Sequence, residues 1–241
     1  MWNSTRRLPP SGFSTGPPAA ACPILPDAMP TAGTGSSVGA SLSASGLSKF
    51  YGDLKVFSKL DFSVAAGEVL VIAGPNGSGK STLLKIAAGL LTPSFGRIEF
   101  RNSMEVIPKE RRRRHLYMVS PDLSFYEELT ARENLNFFLA LLGRKLDNVT
   151  ETLSRVGLGG REDDEVAGFS LGMRQRLKYA LAFLLEPQFL FLDEPTANLD
   201  TAGAKIVIEL LAEQKKRGLA VVATNDPNEY TWGDKKLELG R

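Results

Sequence analysis

The sequence predicts an α/β fold around a mainly parallel sheet. Two observations carry this. From about residue 41, short apolar runs alternate with helical patterns, the arrangement that sets parallel strands beside crossover helices. One run, Val69-Leu70-Val71-Ile72-Ala73, also passes through a glycine-rich stretch into Leu83-Leu84-Lys85-Ile86-Ala87-Ala88, which gives strand, loop and helix in succession. In chain order, residues 42–50 and 56–64 read as strands joined through Tyr51-Gly52-Asp53, and Arg97-Ile98-Glu99-Phe100 reads as another. The basic run Lys109–Arg114 reads as a solvated loop before a strand at 116–119, with attraction to anionic headgroups or to a membrane partner as the other reading. Residues 132–142 and 173–185 read as helices, the first exposing more apolar surface than one-sided packing needs. Phe189–Leu192 and Leu219–Ala223 are apolar runs suited to central parallel strands, with a helix over 203–216 between them.

Composition narrows the class. The 241 residues suffice for one large or two small domains, and 43% hydrophobic with 23% charged residues is ordinary for a folded domain. A net charge of +2 gives no global electrostatic case for nucleic acid. The one cysteine, Cys22, forms no intrachain disulfide, and no Cys/His cluster suggests a metal site. No apolar run approaches the ~20 residues that span a bilayer, so work at a membrane requires spans from another chain. Residues 1–40 are rich in Pro, Gly, Ser, Ala and Thr, carry only Asp27 as an acid and lack periodicity, so disorder is expected there. Arg6 and Arg7 are not followed by the apolar stretch of a secretory signal. An organelle leader, or a start assigned upstream of Met29, fits the same residues.

The glycine-rich stretch Gly74-Pro75-Asn76-Gly77-Ser78-Gly79-Lys80-Ser81-Thr82 fills every position of the phosphate-loop pattern G-x-x-x-x-G-K-[ST], between the strand and helix that pattern requires. Its glycines let backbone N–H groups turn toward phosphate oxygens, and the following helix adds a positive dipole end. Lys80 is placed to reach β- and γ-phosphates, and the Ser81 hydroxyl to ligate Mg²⁺. A nucleotide site also needs acids. Asp193 and Glu194 follow the apolar run 189–192, at a strand's C-terminal end where open α/β sheets bind ligands. Strand alternation would send the two side chains to opposite faces, one for Mg²⁺ and one for the γ-phosphate region.

The stretch between Lys80 and Asp193 is too long for one strand-helix step, so a subdomain is inserted there. Within it, Phe169-Ser170-Leu171-Gly172-Met173-Arg174-Gln175-Arg176-Leu177 resembles the LSGGQ signature of ABC-type ATPases. Glu194-Pro195-Thr196-Ala197-Asn198-Leu199-Asp200 resembles that family's D-loop, and Leu129-Thr130-Ala131-Arg132-Glu133-Asn134-Leu135 the segment that begins its helical subdomain. Tyr51 stands where the family places an aromatic that stacks on adenine. The resemblance covers about residues 42–240. It implies an ABC-type P-loop NTPase: a mainly parallel core sheet, a small antiparallel β portion and a helical subdomain over about 121–186, together forming an ATP-binding domain over 41–241. It also implies a head-to-tail homodimer or heterodimer, in which Ser170, Gly172 and Asp200 of one subunit complete the ATP site of the other. ATP and Mg²⁺ would be bound, an integral membrane permease would be the partner, and the place would be the cytoplasmic face of the cell membrane.

Two departures from the pattern stand out. Pro121 occupies the place where the family carries a glutamine that contacts Mg²⁺ and permease, leaving Ser120 or Asp122 as substitutes. Asn225, in Thr224-Asn225-Asp226, occupies the place of the switch histidine. Asparagine donates a neutral hydrogen bond but never becomes cationic. The expectation is hydrolysis with Glu194 as the water-polarising base, at a low rate. The short chain and the S-x-G-M signature are similar to export-type cassettes, including the ATPase of the cytochrome c maturation haem exporter. A DNA-repair or translation ATPase, usually with two cassettes or a long coiled coil, and a nucleotide-gated module with negligible turnover are the competing classes.

Overall fold

The computed structural model describes residues 39–103, 105–145 and 147–240. The leader expected over 1–40, with Cys22 and Met29, lies outside the described residues except for Gly39 and Ala40. The chain runs through β1 (Ser41–Tyr51), β2 (Leu54–Ala65), β3 (Val69–Ala73), α1 (Lys80–Ala87), β4 (Phe95–Asn102), β5 (Glu105–Val106), α2 (Lys109–Arg112) and β6 (Leu116–Val119). It continues through α3 (Ala131–Leu141), α4 (Val149–Arg155), α5 (Leu171–Leu185), β7 (Phe189–Asp193), α6 (Thr201–Arg217), β8 (Leu219–Thr224) and β9 (Lys235–Glu238).

Two sheets form. The antiparallel one has the order β2-β1-β4-β5, and the other the order β6-β7-β8-β3-β9 with every pair parallel. In the parallel sheet the side-chain alternation of a strand divides the core. Val69, Val71, Leu190, Leu192, Ala220 and Val222 face one cluster, which the buried residues of α3, α4, α5 and α6 complete. Leu70, Ile72, Phe189, Phe191, Leu219, Val221 and Ala223 face the other, with Leu83, Leu84 and Ile86 of α1 and Leu42, Leu47 and Phe100 of the antiparallel sheet. Both faces are covered, which is why β3, β7 and β8 read as unbroken apolar runs.

Each long helix starts at a cap. Thr130 and Glu133 form a reciprocal capping box at α3, Ser170 accepts from the Met173 N–H at α5, and Asp200 accepts from the Gly203 N–H at α6. From Leu177 to Leu185 all of α5 but Leu184 is buried, Lys178 included. On α3, Ala131, Leu135 and Leu139 are buried, while Leu141 is exposed and Phe137 packs edge-on against Tyr126 at the surface.

The basic run is exposed as a solvated segment would be, except at Arg112, but part of it is helical rather than loop. Residues 109–112 form a helical turn, and the Arg112 guanidinium lies 4.7 Å from the Phe100 ring centre while its Nε donates to the Ile107 carbonyl. Arg112 is therefore a packing residue, and burial lowers its pKa. The strand β9 and helix α4 have no counterpart in the sequence reading. Among the described residues, no helix is long and apolar enough to cross a membrane.

Candidate functional site

The C-terminal ends of β3, β7 and β8 lie side by side, so the segments that leave them converge. After β3 the chain makes the loop Gly74–Gly79 and enters α1 at Lys80. Two glycines are required there by contact as well as conformation. Gly74 has φ 156°, and a Cβ would meet the Leu239 carbonyl oxygen at 2.5 Å; Gly79 has φ 95°, and a Cβ would meet Val56 Cγ1 at 2.5 Å. Leu239, just after β9, and Val56 of β2 thus approach the loop closely enough to require glycine at both positions. The Lys80 side chain is buried, with Nζ donating to the Pro75 carbonyl at 3.1 Å and lying 3.5 Å from Glu194 Oε1. Ser78 is buried too, and its hydroxyl has no hydrogen-bond partner among the described residues. A loop holding a buried cation and an unpartnered hydroxyl fits an anionic, hydrogen-bond-accepting ligand.

Asp193 closes β7 and is buried; its Oδ1 accepts from the Ser81 hydroxyl at 2.9 Å. Burial pushes the Asp193 carboxyl up, opposed by the Ser81 hydrogen bond and by Lys85 and Lys80. Two oxygen donors in contact, one of them a buried carboxylate, suit a hard cation such as Mg²⁺. Glu194 lies beyond the strand and adopts φ 47°. Its N–H donates to the Ala223 carbonyl at 2.8 Å, and its carboxylate faces Lys80 and the Asn225 N–H, the latter at 3.4 Å. Glu194 stands one residue beyond β7 in a left-handed turn, so strand alternation does not set its direction, and both acids line one cleft. Asn225 leaves β8, and its Nδ2 donates to Asn76 Oδ1 of the loop at 2.7 Å. Thr82 is half-buried in the first turn of α1, and Tyr51 at the end of β1 is exposed, with Lys49 Nζ 4.8 Å from its ring centre.

Ser170 and Gly172 stand at the start of α5 and border a hollow with Asn198, Leu199 and Asp200. A Cβ on Gly172 would approach the Asn198 carbonyl at 3.0 Å, so the segment after Glu194 packs directly on the start of α5. Asp200, besides capping α6, lies 2.6 Å from an Arg176 nitrogen. These contacts tie the two segments into one surface.

The family model described as ABC transporter matches residues 57–197. The chain belongs to this family. The cassette is 35% identical over 203 residues to the cytochrome c biogenesis ATP-binding export protein CcmA of Rhizobium meliloti, across 82% of this chain and 97% of that one. It is 32% identical over 182 residues to the lantibiotic transport ATP-binding protein SrtF of Streptococcus pyogenes, across 74% and 77% of the two chains. A solved ATP-binding subunit of an ABC transporter superposes with a TM-score of 0.73 at 30% identity, over 82% of this chain and 85% of that one. The cassette is thus an ATP-binding, ATP-hydrolysing subunit of an ABC transporter, a kind of subunit that dimerises and partners a membrane permease. The expected P-loop NTPase fold of ABC type is the one observed.

The cassette's departures have a structural setting. Pro121 lines a cleft of about 300 Å³ together with Asp193, Glu194, Gln175 and Lys178. The two candidate substitutes are held by other groups: the Asp122 carboxylate by Lys85 of α1 at 2.6 Å, and Ser120, which is buried, through its backbone carbonyl, which accepts from Lys178. Lys178 and Tyr179 belong to no motif read from the sequence, and Gln175 belongs there only to the signature-like segment. Gln175 donates to the Tyr179 hydroxyl at 2.9 Å, Tyr179 donates to the Pro195 carbonyl just after Glu194, and Lys178 is buried. The signal available was a lysine inside the apolar run of α5.

Proposed function

We propose that the cassette binds Mg·ATP between the phosphate loop of one subunit and Ser170, Gly172 and Asp200 of a second, and hydrolyses it with Glu194 as the base. The observation that carries this is the convergence of Lys80, Ser81, Asp193, Glu194 and Asn225 from three adjacent strand ends. Backbone N–H groups of residues 74–82 would surround the phosphates, with Lys80 on the β- and γ-phosphates and Tyr51 stacked on adenine. Ser81 and Asp193 would hold Mg²⁺, which when bound offsets phosphate charge. Glu194 accepts the proton of a water as its oxygen bonds to the γ-phosphorus; the bond to the β-phosphate oxygen breaks, leaving ADP and phosphate. Asn225 contributes a neutral amide donor near the γ-phosphate, so turnover is slow.

The names of the relatives, export and lantibiotic transport proteins, support an export-type transporter, with this subunit on the cytoplasmic face of the membrane. The aromatic surface of Tyr126, Phe137 and Phe138 beside exposed Leu141 supports permease docking there. The test is Glu194→Gln, which keeps the shape of Glu194 and removes the base. ATP turnover should fall by at least about 100-fold while binding of a fluorescent ATP analogue persists. Undiminished turnover would remove Glu194 from the role.

A further inference from the structure

The segment leaving β6 has proline where a side chain would otherwise reach the site, yet it is gripped from two sides. Lys178 sits in the apolar half of α5, 8% exposed. Its Nζ donates to the Ser120 carbonyl at 2.9 Å, and its own carbonyl accepts from the Tyr117 hydroxyl of β6 at 3.2 Å. The same residue therefore stitches α5 to β6 and to the segment that follows. From the other side, Lys85 of α1, the helix that carries the phosphate loop, pairs with Asp122 at 2.6 Å. The next residue of α5, Tyr179, holds the Pro195 carbonyl beyond Glu194.

Packing alone does not call for this lysine. Burying an ammonium is unfavourable unless its hydrogen bonds are used, and methionine would fill the same length without a charge. Burial lowers the Lys178 pKa and Asp122 opposes that shift, so the two side chains sense each other across the segment.

We propose that Lys178 is a positioning residue for ATP hydrolysis. With the Lys85–Asp122 pair, it clasps Ser120-Pro121-Asp122 between the signature helix α5 and the phosphate-loop helix α1. Movement of the helical layer is then transmitted to the Asp193–Glu194 end of the cleft without a glutamine at position 121. This rests on the reading of Glu194 and the phosphate loop as the hydrolytic site.

The test compares the full chain with Lys178→Met and Asp122→Asn. In Lys178→Met, kcat should fall about tenfold with KM for ATP within about twofold, since positioning is lost and ground-state binding is not. Hydrogen exchange over residues 117–123 should accelerate about tenfold, while that of β7 stays unchanged. Asp122→Asn, on the exposed side of the segment, should give a smaller loss of the same kind without a shift in Tm, and it decides the matter if Lys178→Met does not fold. Retention of full kcat and of protection at 117–123 overturns the proposal, as does a rise in KM with kcat intact. If the wild-type chain does not hydrolyse ATP, the hydrolytic reading fails, and the exchange data still decide whether the clasp exists.

Discussion

Glu194 is held at φ 47°, a conformation that glutamate seldom adopts and that commonly stores about 1–3 kcal/mol of strain. The Ala223 carbonyl anchors its N–H, so β8 positions the residue proposed to act as base. Its neighbour across the cluster, Asn225, is proposed to keep turnover low because an amide cannot become cationic. Asn225→His should raise turnover several-fold and introduce a pH dependence near the ordinary imidazole value of about 6.5; a flat pH–rate profile at unchanged turnover would exonerate Asn225. Asp193 shows a cost of function. Its folded-state pKa is raised, chiefly by burial, so the protonated form is favoured by folding. Its contribution to stability is therefore complete below the unfolded carboxylate pKa and is lost as the pH rises through the folded value. Asp193→Asn should raise Tm at neutral pH, with the gain shrinking as the pH falls into the carboxylate range, and should abolish turnover. Thermal unfolding at several pH values checks both signs.

At the scale of elements, the start of α3 explains in physical terms a motif that the sequence offered only as a resemblance. Asn134 is fully buried: its Oδ1 accepts from the Tyr126 N–H, and the two N–H bonds of its Nδ2 are shared among the carbonyls of Tyr126, Leu129 and Thr130. It moulds the turn that the Thr130–Glu133 capping box then closes. Asn134→Ala should cost roughly 2–3 kcal/mol by orphaning these groups, a fall in Tm of roughly 5–10 °C by calorimetry; near wild-type stability would mean that water replaces the amide. Such local chemistry was legible in part: Thr130, Ser170 and Asp200 stood out only within motifs and not as caps, while the buried strands and the loop between β3 and α1 announce themselves in sequence. The edge strand β9 did not. Its residues Lys235-Lys236-Leu237-Glu238 point one apolar side chain inward, and β3 alone supplies its pairing. Helix α4 is short and presents only Val149 and Leu153 to the core, too few for a periodicity. The role of Lys178 was hidden because it depends on Ser120, which is distant in sequence.

At the scale of the whole molecule, the proposed site is divided between two chains. Among the described residues, the Ser170 hydroxyl bonds within the first turn of α5, and Gly172 faces Asn198 rather than the phosphate loop. Glu194→Gln should therefore dimerise with ATP. Adding Ser170→Asp, which preserves a good helix cap but sets a negative charge toward the partner's γ-phosphate, should hold the protein monomeric with ATP binding within about twofold. Light scattering after gel filtration reads the outcome, and a stable dimer of the double variant would argue against the composite site. The order of the parallel sheet has a consequence for how the molecule is made. The strand that leads into the phosphate loop pairs with β8 and β9, Val69 with Ala220 and Leu70 with Lys235, and Leu239 then donates its N–H to the Ala73 carbonyl. During synthesis the loop emerges long before the strands that fix its register, so its shape awaits contacts of high sequence separation. A nascent chain halted before β8 would carry every residue of the loop and none of the hydrogen bonds that set β3 in place.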